Sequence, residues 1–176
     1  MIHVTFCGGS EAEMSPGGFT AFTMFGGVEL RRPTLAQRIL YRRANRNKTY
    51  SRWDRFMGRD KSLVITLFGG TDIIPPTVME EYAAMRNLMQ SGVVTKEECL
   101  MLIDELSGGD DCSEVSRFTM FGACEFSQQK AKKELKALDA AQDARIIDGE
   151  TRRQLENAVG CPPSTAAGVV ARAAMA

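Results

Sequence analysis

Four short stretches of this chain alternate apolar and polar residues, and each is broken near its middle by two small residues. They read Val4-Thr5-Phe6-Cys7-Gly8-Gly9-Ser10-Glu11-Ala12, Phe22-Thr23-Met24-Phe25-Gly26-Gly27-Val28-Glu29-Leu30, Val64-Ile65-Thr66-Leu67-Phe68-Gly69-Gly70-Thr71-Asp72-Ile73 and Phe118-Thr119-Met120-Phe121-Gly122-Ala123-Cys124-Glu125-Phe126. Aligned on Cys7, Phe25, Phe68 and Phe121, every copy places an acid four residues on, at Glu11, Glu29, Asp72 and Glu125. The pattern predicts strand, turn, strand, with Gly8, Gly9, Gly26, Gly27, Gly69, Gly70 and Gly122 as turn residues. Two geometries are open: a two-residue hairpin, or the corner of a stacked rung. The first two copies lie 18 residues apart, the length of one rung, and the next gaps of 43 and 53 residues read as rungs that accepted insertions.

The insertions carry a different period. Val78, Tyr82, Met85 and Met89 share a helical face, which Ser91-Gly92 ends. Thr95 and Glu98 form a capping box, and Cys99, Leu102, Ile103 and Leu106 give the next apolar stripe. A helix over 128–144 and a second one capped by Asp148 repeat the design. A shift of 53 residues lays Met85 on Leu138, Val93-Val94 on Ile146-Ile147, and Leu102 on Leu155, so one unit looks duplicated together with its helices. The first insertion differs. A helix opens at Pro33-Thr34 and runs to Asn45, and Ser51 caps a short helix with Trp53, Phe56 and Met57.

These elements predict an α+β protein: a small parallel β-solenoid-like core of four strand-Gly-Gly-strand units with inserted helical hairpins. The units fall near 2–14, 19–31, 62–75 and 116–127, and the helical insertions at 33–60, 76–108 and 128–160. Residues 1–160 form one composite domain, followed by a small-residue-rich flexible tail, 161–176. Stacked Phe25, Phe68 and Phe121 are expected to close the core.

Charge changes the picture locally. Lys plus Arg and Asp plus Glu both number 22, so the net charge is zero. Yet Arg31 to Lys61 holds eleven of the basic residues and two acids, a segment of +9 facing a remainder of −9. Such asymmetry points to an acidic partner. Arg38, Arg42, Arg43, Arg46, Lys48, Arg52, Trp53 and Arg55 are the candidate contacts. An acidic protein surface, the chain's own in a homo-oligomer included, ranks ahead of an anionic membrane surface or nucleic acid.

Catalytic chemistry finds little support. No Cys-x-x-Cys spacing occurs among five cysteines, and His3 is the single histidine, so neither a metal nor a cofactor is expected. The glycine pairs match no phosphate or dinucleotide loop. His3 and Cys7 share a strand face, but no orienting partner accompanies them. The acid column could stack at about 5 Å spacing, where its charges repel; a solvated face is the simpler reading. No signal peptide or membrane-length apolar run is present, which leads to the expectation of a reduced cytoplasmic protein.

Phe25-Gly26-Gly27-Val28-Glu29-Leu30 and Phe68-Gly69-Gly70-Thr71-Asp72-Ile73 resemble the FGG-V-E signature of the C-terminal domain of LiaF-like proteins, a family tied to cell-wall-active antibiotic response. The resemblance covers 2–31, 62–75 and 116–127, and implies a parallel β-solenoid with a regulatory role in cell-envelope stress. Leu88 to Glu98 is similar to the short helical SHOCT module. Neither family supplies a catalytic residue. The functional expectation is a non-enzymatic regulatory or scaffolding module acting through protein–protein interaction.

Overall fold

In the computed structural model, residues 2–49, 51, 62–107, 115–121, 124–125, 131–160 and 163–176 are described. The eight strands among them form two parallel sheets. β1 (Ile2–Cys7), β3 (Thr20–Phe25), β5 (Ser62–Phe68) and β7 (Val115–Phe121) line up in that order in the first. β2 (Ser10–Glu13), β4 (Val28–Arg31), β6 (Thr71–Ile74) and β8 (Cys124–Glu125) line up in the second. The two strands joined by each Gly-Gly pair thus belong to different sheets. A two-residue hairpin would have paired them antiparallel with each other, so that alternative is excluded.

The register is the one the repeat predicts. Cys7 pairs with Phe25, Phe25 with Phe68, and Phe68 with Phe121. A glycine follows each of the first three. Gly26 and Gly69 adopt φ of +119° and +148°, which side chains rarely take. A Cβ on Gly26 would overlap the Gly8 carbonyl oxygen, and one on Gly69 the Gly26 carbonyl oxygen. Backbone stacks on backbone at this corner, leaving no room for any other residue. Gly122 lies outside the described residues.

Between the sheets, Phe19, Ala21, Val28, Leu30, Val64 and Ile73 are buried with Met14. Thr23 and Thr66 are also buried there, in the row Thr5-Thr23-Thr66-Thr119. The expected phenylalanine core is corrected by this arrangement. Phe25 and Phe68 are 48% and 44% exposed and stack on each other, ring centroids 5.2 Å apart and 9° from parallel. The glycine that follows turns the chain out of the strand, so the phenylalanine stands at the sheet margin and the threonine two residues earlier faces inward.

The chain divides into two compact units, where repeat spacing suggests a single composite domain. The strands belong to one, with 40–75. The other gathers 34–39, 76–111 and 128–176. In that helical unit, α2 (Val78–Gln90) and α3 (Lys96–Ser107) make one hairpin, and α4 (Ala131–Asp143) and α5 (Gly149–Val159) the other. Thr95 and Glu98 bond reciprocally, backbone N–H to side-chain oxygen, at 3.2 Å each. Asp148 accepts from the Thr151 N–H at 2.7 Å. Thr77 and Glu80 form a further capping box at the start of α2.

The expected flexible tail is α6 (Pro163–Met175). Its Ala171 and Met175 pack with Met85, Leu88, Val94, Cys99 and Ile103. Val170 and Ala173 pack with Tyr82, Leu138, Ile147 and Leu155. Small side chains, which alone suggest a frayed end, let this helix approach both hairpins and bury two faces. The first half of α1 (Leu35–Ala44) adds Leu35, Ala36 and Ile39 to the former cluster, and Glu81 accepts the Leu35 N–H at 2.8 Å.

Candidate functional site

Exposed positive charge gathers where α1 ends. Arg42 and Arg43 form its last turn, and Arg46 and Lys48 follow; all four are exposed. The chain winds on tightly beyond the helix. Asn45 N–H donates to the Tyr41 carbonyl at 3.0 Å, its side-chain amide donates to the same oxygen at 2.8 Å, and Lys48 N–H donates to the Asn45 carbonyl at 2.9 Å. Tyr41 lies against Gly17, where a Cβ would overlap its ring. The aromatic residue anchors this end of the helix on the turn between β2 and β3, and its basic neighbours are exposed. Positive charge also favours a helix C-terminus, so the placement is locally stable.

The other expected contacts divide. Arg38 is half-buried on the part of α1 that belongs to the helical unit. Arg31 is exposed at the end of β4, and Arg32 is half-buried with its N–H donating to the Ile74 carbonyl at 3.0 Å. Arg52, Trp53 and Arg55, with the short helix expected there, lie outside the described residues.

The acid column stacks as the repeat predicts: Glu11 pairs with Glu29, Glu29 with Asp72, and Asp72 with Glu125. Glu11 and Glu29 are exposed and Asp72 is half-buried. Among the described residues, no group of three acid, histidine or cysteine side chains could hold a metal ion. His3 bonds Thr5 Oγ1 through Nε2 at 3.1 Å and stacks on Phe19, while Cys7 is exposed.

Two buried groups among the described residues of the helical unit, Cys99 and Glu134, have raised pKa values. Burial pushes the Cys99 thiol up, and its sulfur lies 3.3 Å from that of Met85. Burial also raises the Glu134 carboxyl, with the Glu80 charge adding to the effect and a hydrogen bond from the Val78 N–H opposing it. Sequence periodicity missed Glu134, since an acid in a first helical turn reads as a surface residue.

The chain matches no protein-family model, no curated protein and no solved structure. No helix among the described residues is long and apolar enough to cross a membrane.

Proposed function

We propose that this chain is a non-enzymatic regulatory or scaffolding module that binds an acidic protein surface, using a solenoid-like stack of strand-Gly-Gly-strand rungs as its frame. The observation that carries the reading is the exposed run Arg42, Arg43, Arg46 and Lys48, held at the end of α1 by Tyr41 on Gly17. Several cations on one short stretch favour an acidic surface by electrostatic steering and complementarity. The FGG-V-E resemblance adds cell-envelope stress as the setting, and a cytoplasmic location belongs to the same proposal.

Retention of the purified full chain on immobilised poly-glutamate, on duplex DNA and on anionic vesicles tests it. Retention on poly-glutamate that weakens with salt, and is lost in Arg42→Glu/Arg43→Glu/Arg46→Glu, is expected. Retention on DNA or vesicles without poly-glutamate binding overturns the proposal in favour of nucleic acid or membrane.

A further inference from the structure

We infer that the acidic surface bound by the basic run is the chain's own: Arg42, Arg43, Arg46 and Lys48 of one copy dock on the carboxylate row Glu11, Glu29 and Asp72 of a second copy. This inference rests on the basic-surface reading and names its partner. The outward face of the second sheet carries the row. Glu11 pairs with Glu29, and Glu29 with Asp72, in parallel register. Alternation along the strands turns these acids outward, since Val28, Leu30, Thr71 and Ile73 beside them are buried. The next outward row, Glu13, Arg31 and Ile74, is mixed in charge, so the negative potential is concentrated on one line.

Spacing and charge both say what fits this line. Neighbouring strands lie about 4.8 Å apart, which sets the interval from one carboxylate position to the next. Arg42 and Arg43 close α1, and the winding continues through bonds from Asn45 N–H to the Tyr41 carbonyl and from Arg46 N–H to the Arg43 carbonyl. Arg46 therefore follows them by one turn, a rise of about 5.4 Å. Guanidinium groups on successive turns match carboxylates on successive strands, and each such contact is a charge-assisted hydrogen bond. Both surfaces belong to one compact unit, which includes 1–33 and 40–75. Yet no ion pair among the described residues involves Glu11, Glu29, Arg46 or Lys48. Charge of each sign is thus left over on every copy of a chain whose net charge is zero, and a second copy supplies the complement of both. Docked cations also offset the mutual repulsion of like charges along the row.

Sedimentation velocity of the full chain at low and moderate salt tests it. Association at low salt that added salt reverses is expected. It should be lost in Glu11→Gln/Glu29→Gln/Asp72→Asn and equally in Arg42→Gln/Arg43→Gln/Arg46→Gln. It should return when the two variants are mixed, because the mixture again holds one intact surface of each kind. A monomeric wild-type chain, association that either folded variant retains, or a mixture that stays monomeric overturns the inference. Should a variant not fold, carbodiimide coupling of mixed isotope-labelled and unlabelled wild-type chains reads the contact directly. An amide joining Lys48 of one copy to Glu11, Glu29 or Asp72 of another supports it, and the absence of that cross-link overturns it. A monomeric chain that still binds poly-glutamate overturns this inference alone; one that binds neither itself nor poly-glutamate overturns the acidic-surface reading as well.

Discussion

Gly92 and Arg145 stand 53 residues apart and hold the same left-handed backbone conformation, with φ of 64° and 56°. The bonds around them are copied as well. Gly92 N–H donates to the Met89 carbonyl at 3.0 Å, and Arg145 N–H to the Gln142 carbonyl at 2.9 Å. One residue earlier, Ser91 bonds Asn87 and Ala144 bonds Ala140, both at 3.0 Å. The duplication visible in the sequence therefore extends to the turn's hydrogen bonds, although one copy has glycine and the other arginine.

That difference carries a stability cost. A Cβ in the left-handed region costs about 1 kcal/mol, part of which glycine returns through a freer unfolded chain. Arg145→Gly is expected to stabilise by about 0.5 kcal/mol, and Gly92→Ala to destabilise by about 1 kcal/mol. Thermal melts of the two variants check the pair.

The glycine corner separates two neighbouring residues. Gly26→Ala meets both an unfavourable φ and the Gly8 carbonyl, and should cost about 3 kcal/mol. Gly27→Ala meets only the Gly70 carbonyl at 3.8 Å, ordinary contact, and should stay within about 0.5 kcal/mol. Urea unfolding midpoints at unchanged m-value read the contrast.

The threonine row makes a second contrast. Thr66 Oγ1 bonds Thr71 Oγ1 at 2.7 Å, whereas Thr23 Oγ1 is buried with no hydrogen-bond partner among the described residues. Thr23→Val removes an unsatisfied group at nearly constant shape and should stabilise by about 1 kcal/mol. Thr66→Val leaves Thr71 short of its partner and should destabilise by about 1 kcal/mol. Calorimetric melting of both variants decides.

Glu134 gives a pH signature. Its pKa is raised on folding, so the folded chain holds that proton more tightly than the unfolded chain does. Its contribution to stability is therefore greatest below the ordinary carboxylate range and is lost as pH rises through the raised value. Glu134→Gln fixes the neutral form. It should be more stable than the wild type at neutral pH, with the advantage vanishing on acidification. Denaturant titrations across that pH range measure it; an advantage independent of pH would contradict the sign.

Much of this was legible before any coordinates. The motif's length and its shared turn set the strand register, and the acid column follows because equal spacing from a shared turn places equal positions side by side. Thr95 and Asp148 were readable as caps because capping uses residues three apart. The basic run at Arg42, Arg43, Arg46 and Lys48 was readable as charge. Its exposure depended on Tyr41 finding Gly17, a contact across more than twenty residues that no local pattern encodes.

The sequence by itself determined the strands, their stacking order and the copied hairpins, because these depend on local periodicity and turn chemistry. Tertiary structure alone decided which face of each repeat is core. Alternation marks two faces without naming them, and the left-handed glycine put phenylalanine at the margin and threonine inside. Tertiary structure also made a helix of the alanine-rich end. Small side chains carry little intrinsic signal of burial, and only the two hairpins on either side of α6 supply the apolar surface that orders it.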